Sequence, residues 1–277
     1  MKTTVVMVVY KQKLEQSRTF QTIRRTFFTG GRLRDEVHVI IYDNSPEPQS
    51  VPREYADAFT YKHDPRNLGI AVAYNYAWQA AKQHNSEWLI LLDHDTELTQ
   101  AYADAVLSLE KVDRDQTAAI VPKVICNEVM ISPVFSDTLQ PLKAVRPETG
   151  IQQRPIMAIN SGAAVNMQFL NQLGGFNEEF PLDFLDHWLF YEVYERGYKS
   201  FVLDVTLEHE LSVMNYDTVS LQRYKSILGS EIHFYKNYKK GLLKRYKRQL
   251  LLRTVKQLVF VRNKSIAFHT LRQLLTV

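Results

Sequence analysis

Two aspartates, Asp93 and Asp95, stand one residue apart directly after the apolar run Leu89–Leu92. An apolar run of this length predicts a buried strand, and ligands bind at the carboxyl ends of strands in open α/β sheets. Carboxylate oxygens are the ligands that Mg²⁺ and Mn²⁺ prefer, including beside a diphosphate. The pair therefore indicates a site for a metal ion and a diphosphate. Two solvated turn aspartates are the alternative interpretation.

Polar residues follow two further predicted strands. A β-branched run ends at Tyr10, and the apolar run Val37–Tyr42 ends at Asp43. Because parallel strands leave a sheet at one edge, we expect both side chains beside the aspartate pair. The turn-rich segment His63–Gly69 leads into the next predicted helix, for which Asn67 is a candidate N-cap.

The elements that must position these residues alternate between strands and helices. This alternation predicts an α/β fold with a Rossmann-like, mostly parallel central sheet flanked by helices. The predicted strands are 3–9, 37–42, 59–62, 89–92, 118–125 and 198–205. The predicted helices are 13–28, 70–84, 99–112, 168–173, one ending near 196, and the segment 220–277. Residues 127–155 lack periodicity and contain several prolines, which predicts an irregular excursion over the site.

The overall composition is that of a globular protein, because 45% of the 277 residues are hydrophobic and 23% are charged. Cys126 is the single cysteine, which excludes an internal disulfide framework and favours a reducing cytoplasm. The sequence shows neither a signal-peptide pattern nor an apolar run long enough to span a membrane. We therefore expect a cytoplasmic protein.

Charge is distributed unevenly along the chain. Residues 221–277 contain 14 Lys and Arg and one acidic residue, Glu231, a balance of +13, whereas the other 220 residues carry −9. Aromatic and aliphatic residues lie among these basic residues, which favours peripheral contact with an anionic membrane. Nucleic acid is not expected, because the acidic body has no nucleic-acid motif; solvated helix faces are the alternative. We predict a domain over 1–215 and a basic helical extension over 216–277.

Several short motifs occur in a fixed order along residues 3 to about 212. They are Val-Val-Tyr10, Asp43-Asn-Ser, Arg66-Asn-Leu-Gly69, Asp93-His-Asp95, Ser161-Gly162, Gly174-Gly-Phe-Asn-Glu178, Asp183-Phe-Leu-Asp186 and His209. No motif is specific alone, but the ordered set resembles family 2 glycosyltransferases of the GT-A fold. Within that family, the segment around Asp186 is similar to bacterial rhamnosyltransferases and other surface-polysaccharide transferases.

The resemblance implies an inverting transfer of a sugar from a UDP- or dTDP-sugar to a saccharide or lipid-linked acceptor hydroxyl, with Mn²⁺ or Mg²⁺. Asp95 is then the direct metal ligand, and Asp93 lies nearer the ribose and the metal-bound water. His209 is either a further metal ligand or a loop histidine bonded to backbone. Asp186 is the general base and Asp183 the alternative, which has a loop or N-cap role as its other interpretation. Many relatives have an acidic residue where this chain has Leu185, which weakens the assignment of a single base.

For the nucleotide, the resemblance places Tyr10 against the base ring and Asp43 at its N3–H. A strand-end aromatic and an Asx-turn are the respective alternatives. Arg66 is expected at the base edge or the diphosphate, and Gly69 allows close approach of the backbone. Asn67 is expected to face the same ligand, in addition to capping the helix. His94 belongs to this set by position, without a separate role.

On the acceptor side, the resemblance places Ser161 and Gly162, where a small residue leaves room for a sugar. A tight turn is the alternative for Gly162, and burial in the core is the alternative to sugar stacking for Trp188. Two other functions remain open. One is a nucleotide-sugar-binding protein without turnover, and the other is a nucleotidyltransferase, although the segment after Tyr10 lacks the glycines of a phosphate loop.

Overall fold

The computed structural model describes residues 2–108, 112–139, 145–208 and 219–277. The chain divides into two compact units, Met1–Glu210 and Leu211–Val277. The predicted domain boundary at 215 and 216, together with His209, lies outside the described residues.

The first unit is built around a central, mostly parallel sheet flanked by helices. Its strands are β1 (Thr3–Val9), β2 (Phe28–Thr29), β3 (Arg32–Leu33), β4 (Val37–Asp43), β5 (Phe59–His63), β6 (Trp88–Leu92), β7 (Thr117–Cys126), β8 (Val129–Ser132), β9 (Val134–Phe135), β10 (Gly150–Gln152), β11 (Ile156–Met157), β12 (Ala163–Asn166) and β13 (Lys199–Glu208). Its helices are α1 (Arg18–Thr26), α2 (Ile70–Gln83), α3 (Gln100–Leu107), α4 (Met167–Leu173) and α5 (Leu185–Glu195), with single 3₁₀ turns at Leu14–Gln16 and Arg53–Tyr55.

The strand order brings the ends of distant chain segments together. Within the described residues the main sheet has nine strands in the order β10-β13-β7-β12-β6-β1-β4-β5, with β8 paired to β7. Strands β6, β1, β4 and β5 are parallel neighbours, and β12 runs antiparallel to β6. The carboxyl ends of the four parallel strands and the amino end of β12 therefore meet at one edge, called here the carboxyl edge.

Both faces of the central strands are covered. Every residue of β1 and of β6 is buried, as expected for apolar strands in a parallel sheet with helices on both sides. On one face, Phe20 and Ile23 of α1 join the core formed by alternate residues of these strands. The Ala-rich α2 likewise buries Ala73, Ala77 and Ala81. This packing fixes the strand ends from which the carboxyl-edge residues project.

Two sequence predictions of local structure are wrong. Residues 127–155 are not an irregular excursion throughout, because β8, β9 and β10 form there by pairing with β7, β11 and β13. Strands of two to four residues have too few positions to show a period-two pattern, so distant pairing decides them. The first predicted helix is also shorter, since Ser17 caps α1 after a 3₁₀ turn.

The second unit is helical, as its sequence pattern predicts. It contains α6 (Leu221–Asn237), α7 (Leu243–Phe260) and α8 (Lys264–Leu274), with a 3₁₀ turn at Lys240–Leu242. Its core includes a polar network in which Gln257 Nε2 donates to the Tyr224 hydroxyl at 2.8 Å and Thr270 Oγ1 donates to Gln257 Oε1 at 2.7 Å. Among the described helices, none combines the length and apolar character of a membrane-crossing segment.

Candidate active site

The loop after β6 is fixed to the start of α1. Ser17 Oγ donates to the His94 carbonyl at 2.6 Å, and Thr19 Oγ1 donates to the Asp93 carbonyl at 2.5 Å. The Thr96 backbone N–H in turn donates to Thr19 Oγ1 at 2.9 Å. Side chains from another element thus hold the main chain of this loop, so the aspartate pair is a fixed feature of the sheet edge. Sequence reasoning missed both hydroxyls, although Ser17 carries the signal of a helix cap.

Ser161 holds the same loop from the other side. The Asp93 N–H donates to Ser161 Oγ at 2.9 Å, and the Thr96 hydroxyl bonds to the same oxygen. Ser161 is only 1% exposed, so its observed contacts are with the loop, and contact with an acceptor stays a prediction. Gly162 has a φ of 86°, and an added Cβ would lie 2.9 Å from Pro122 Cγ, which agrees with the tight-turn interpretation.

Asp43 at the end of β4 is fully buried and bonded on both oxygens. Its Oδ1 accepts from the Ser45 N–H at 2.8 Å. This bond forms the Asx-turn that the sequence offered as the alternative role of Asp43. Its Oδ2 accepts from the Tyr61 hydroxyl at 2.7 Å and from Gln49 Nε2 at 3.1 Å. Burial raises the pKa of Tyr61 to about 12, so the phenol remains a donor to Asp43. A contact between Asp43 and a nucleotide base stays a prediction. Tyr10 lies at the neighbouring strand end and is 42% exposed, as a stacking surface requires.

Arg66 is held by an acidic residue that sequence reasoning did not select. Asp64 Oδ1 accepts from Arg66 Nε and Asp64 Oδ2 accepts from Arg66 Nη2, both at 2.7 Å. The Tyr42 hydroxyl also donates to Asp64 at 2.8 Å. The Arg66 guanidinium, followed by the Tyr42 hydroxyl, holds the pKa of Asp64 well below its usual range. This bidentate pair fixes a largely exposed cation at the carboxyl edge, as phosphate or base recognition requires.

The prediction that Asn67 caps α2 is wrong. The N-cap is Gly69, which has a φ of 98°, and Asn67 instead takes a left-handed backbone conformation with a φ of 48°. The first helical N–H, that of Ile70, donates to the Pro181 carbonyl at 2.6 Å. An added Cβ on Gly69 would lie 2.2 Å from that carbonyl oxygen, so glycine is required here by the loop that precedes α5.

Asn75 clamps the same loop to α2. Its side-chain amide accepts from the Phe176 N–H at 2.7 Å and donates to the Phe176 carbonyl at 3.0 Å. A third bond runs from Asn75 Nδ2 to Glu178 Oε1 at 3.0 Å. Asn75 therefore has a structural role in holding this loop against α2. The residue separation of about one hundred positions explains why no local pattern revealed this clamp.

The acidic segment Asp183–Asp186 leads into α5. Asp186 lies in the first turn, and its Oδ1 accepts from the backbone N–H of His187 at 2.8 Å and lies 2.9 Å from His187 Nδ1. Asp183 precedes the helix and is half-buried. Trp188 is 6% exposed, which agrees with the core alternative rather than sugar stacking. His187 was missed by sequence reasoning, although it stands next to the selected base.

Tyr74 of α2 links the two acidic groups. This side chain is fully buried, and among the described residues its hydroxyl has no hydrogen-bond partner. Burial, followed by the negative charges of Asp93 and Asp186, raises the pKa of Tyr74 well above its usual value. The Tyr74 hydroxyl therefore stays neutral, and the charges of both carboxylates favour that neutral form.

A divalent metal fits the aspartate pair. Asp93 and Asp95 are both half-buried on a fixed loop at the carboxyl edge, and their carboxylates are hard oxygen donors. In the part of the chain that the structure describes, no three metal-ligating side chains form a cluster. Mg²⁺ in phosphate-transfer sites is commonly bound by one or two carboxylates together with substrate phosphates, so two carboxylates are a sufficient protein contribution.

The fold and the position of this edge define an α/β protein of the GT-A type. Among solved structures, S. aureus TarS 1–349 in complex with UDP-GlcNAc matches with a TM-score of 0.53 and 12% identity, over 99% of this chain and 80% of that one. The S. aureus TarS 1–349 structure without ligand in its description matches with a TM-score of 0.53 and 13% identity. That match covers 90% of this chain and 78% of the TarS chain. Against the longer S. aureus TarS structure the TM-score is 0.49 at 12% identity. That match covers 87% of this chain and 45% of the TarS chain. At these identities the similarity concerns the fold.

The sequence profile described as glycosyl transferase family 2 matches residues 4–166, and the chain belongs to that family. No curated protein sequence matches this chain significantly. The matched segment runs from Thr4 in β1 to the end of β12 and includes Asp43, Arg66, Asp93, Asp95 and Ser161.

Proposed function

We propose that this protein is an inverting, metal-dependent glycosyltransferase. It moves a sugar from a UDP- or dTDP-sugar to the hydroxyl of a saccharide or lipid-linked acceptor, in the synthesis of a surface polysaccharide. The carrying observation is the loop of Asp93 and Asp95, which hydrogen bonds from other elements fix at the carboxyl edge of the sheet. Membership of glycosyl transferase family 2 supports this function over a nucleotidyltransferase.

The donor side is formed by the ends of β1, β4 and β5. The Arg66 guanidinium, fixed by Asp64, supplies a cation for the diphosphate or the base edge. Tyr10 supplies an exposed ring, and Asp43 shapes the turn beside it. The complex of S. aureus TarS 1–349 with UDP-GlcNAc supports a uridine nucleotide as the first one to test.

The leaving diphosphate needs its developing charge stabilised, whereas the acceptor hydroxyl needs a base to remove its proton. A divalent cation, when bound, stabilises the charge that develops on the leaving diphosphate. Asp95 is proposed to hold it directly and Asp93 through water, with His209 as a further ligand. For the acceptor, the family resemblance makes Asp186 the general base and Asp183 its alternative.

A thermal-shift comparison of nucleotide sugars, with and without Mn²⁺, tests this proposal. A donor present at about 100 times its Kd stabilises the native protein by about 2.7 kcal/mol, so the stabilising compound identifies the nucleotide. The Asp95→Ala variant should lose the Mn²⁺-dependent part of this stabilisation and the transfer of sugar. Asp57, an exposed aspartate before β5, provides the matched control Asp57→Ala, which should behave as wild type. Full transfer by Asp95→Ala would disprove the metal assignment.

We further propose that the second unit makes peripheral contact with an anionic membrane, at the cytoplasmic face. Glu231, the one acidic residue of the segment 221–277, is buried in a bidentate pair with Arg253 at 2.6 and 2.7 Å. No acidic side chain therefore remains exposed over residues 221–277, whereas many basic ones do. Such a surface attracts anionic headgroups.

Apolar side chains accompany this charge. The buried residues of α7 recur at spacings of three or four residues, as Tyr246, Leu250, Thr254 and Gln257. Large hydrophobic residues outside this face are exposed, namely Leu251, Leu252, Val255, Leu258, Val259 and Phe260, with Phe268, Leu271 and Leu275 on or directly after α8. Exposed apolar and basic residues on one helix are typical of an interfacial helix, which suits a lipid-linked acceptor.

A further inference from the structure

We propose that Gln49 is a positioning residue of the donor side, whose side-chain amide holds the loop of Tyr10 against the end of β4 at Asp43. The nucleoside of the donor then meets a surface that is already ordered before it binds. This inference rests on the proposed glycosyl transfer, and it adds a residue outside the motifs that carry the family resemblance.

The Gln49 amide joins the segment after β1 to the end of β4. Its Nε2 donates to the Gln12 carbonyl at 2.9 Å and to Asp43 Oδ2 at 3.1 Å. Its Oε1 accepts from the Leu14 N–H at 3.0 Å. The amide group carries two hydrogens and an acceptor oxygen, so each of these has a partner here. One planar group therefore fixes the distance between two strand ends that carry donor-side residues.

The backbone of Gln49 is itself held by β5. The Gln49 N–H donates to the Tyr61 hydroxyl at 2.7 Å, and that hydroxyl donates to Asp43 Oδ2 at 2.7 Å. Pro48 and Pro52 flank the residue, and the fixed φ of proline limits the conformations of this segment. The amide is thus placed by a third strand and by its own segment, independently of the loop that it holds.

The loop after β1 needs support because part of its backbone is unfavourable. Lys11 has a φ of 54°, a left-handed conformation that residues other than glycine rarely adopt. Such a conformation persists only where its surroundings hold it. Two bonds do so here, because the Lys11 N–H donates to Ser45 Oγ at 2.8 Å and Gln49 holds the next carbonyl, that of Gln12. Tyr10 directly precedes this point, so the backbone from which its ring projects is fixed.

A glutamate would fill the same space as Gln49 with the opposite hydrogen-bonding character. Asp43 is fully buried, and its carboxylate only accepts hydrogen bonds. In Gln49→Glu a carboxylate oxygen replaces Nε2 and faces the Asp43 carboxylate and the Gln12 carbonyl, so two attractive contacts become repulsive. The bond from Lys11 to Ser45 remains in this variant and keeps the two turns connected. The substitution therefore displaces the loop without emptying the space.

The test compares Gln49→Glu with the wild type in the presence of Mn²⁺ at about pH 8, where a glutamate is ionised. Isothermal titration calorimetry with UDP and with dTDP measures binding. The Kd of the nucleotide that binds the wild type should rise about tenfold, because a hydrogen bond turned repulsive costs about that factor. The KM of the corresponding nucleotide sugar should rise equally with kcat unchanged, since the nucleoside is bound alike before and during sugar transfer.

Gln49→Met is the second variant, because methionine has a similar length and its side chain donates no hydrogen bond. It removes the three amide bonds and introduces no repulsion, so the Kd of the nucleotide should rise about threefold. The Kd should therefore increase from the wild type to Gln49→Met and again to Gln49→Glu.

The matched control is Gln152→Glu. It changes another glutamine whose Nε2 donates to two backbone carbonyls, those of Glu148 and Gly150, at 2.7 and 2.8 Å. Gln152 lies in β10, at the opposite end of the strand order from β4 and β5. This variant should lose stability toward urea, as Gln49→Glu does, and should keep the wild-type Kd and KM.

Equal Kd and KM values in Gln49→Glu and Gln152→Glu would show that Gln49 supports only the fold, and the inference would be wrong. A lower kcat with unchanged Kd and KM would also contradict it, because the effect would then lie outside nucleotide binding. If the wild type binds neither UDP nor dTDP and transfers no sugar, the proposed function itself fails. Wild-type transfer together with unaltered nucleotide binding in both Gln49 variants overturns only this inference.

Discussion

The carboxyl edge of the first unit and the helices of the second unit use charged side chains in opposite ways. At the edge, Asp43 and Asp64 are buried and bonded to residues brought there by other strands. Over residues 221–277 of the second unit, the single acidic residue is buried and many basic groups are exposed among apolar neighbours. The first arrangement fixes charged side chains in place, whereas the second leaves basic and apolar side chains exposed.

The largest effect is expected when the outward surface of α7 is changed. The variant Leu252→Asp with Val259→Asp alters two side chains that are 69% and 63% exposed. Each loses about 1.5 kcal/mol or more of apolar burial, so binding to anionic vesicles should weaken by about 10²-fold. Co-sedimentation at low and high salt measures this loss.

The control for this experiment is Val145→Asp, which changes an apolar residue of the first unit that is 80% exposed. Wild-type binding that vanishes at high salt, with no loss in the double variant, would mean that charge alone attracts the membrane. The exposed apolar residues of α7 would then make no contribution to vesicle binding, and the two units would differ only in how they use charge.

A smaller effect should separate fixed positioning from ordinary stability. Ser161→Ala removes the acceptor of the Asp93 N–H, and Ser86→Ala removes another buried hydroxyl, which is bonded to Thr4 at 2.8 Å. Each should lower the free energy of unfolding by about 1–3 kcal/mol. Only Ser161→Ala should also weaken the donor-induced thermal shift, because only it loosens the aspartate loop. Equal donor shifts in both variants would show that the loop does not need this bond.

The smallest effect concerns pH and belongs to the first unit. Burial, followed by the neighbouring His84, lowers the pKa of His38 from 6.5 to about 4. The unfolded chain then binds more protons between these values, so the free energy of unfolding should fall as the pH drops from 6.5 to about 4. Because His38 is partly exposed, this loss should amount to about 1 kcal/mol. Urea unfolding at both pH values measures this loss, and the free energy of unfolding of His38→Asn should change less between them than that of the wild type. An equal change in both proteins would show that His38 does not cause the pH dependence.

Sequence reasoning located the backbone positions of the site well, because they follow local patterns. The prediction of helix 70–84 matches the observed Ile70–Gln83, and that of a strand before Asp93 matches Trp88–Leu92. The predicted fold class is confirmed by the sheet and by its similarity to S. aureus TarS 1–349. The roles of Asp95, Asp186 and His209 stay predictions.

The partners of these residues were less accessible to sequence reasoning. Asp64 stands two residues before Arg66, and its turn bond to the Arg66 N–H at 3.2 Å follows a pattern that a closer reading of the loop would have found. Asn75 and Phe176 are separated by about a hundred residues, and their contact depends on how α2 meets a distant loop. No local periodicity carries that information.

The sequence by itself determined which strands are buried, where they end, and that a basic helical segment follows an acidic body. These properties depend on side-chain polarity at short spacing, which local physics controls. Only the tertiary structure decided how the aspartates after β6 are held. Ser17, Thr19 and Ser161 reach them from elements far along the chain, because the parallel sheet brings distant strand ends to one edge. It also decided that the first turn of α5 carries a histidine fixed between a carboxylate and an aromatic ring.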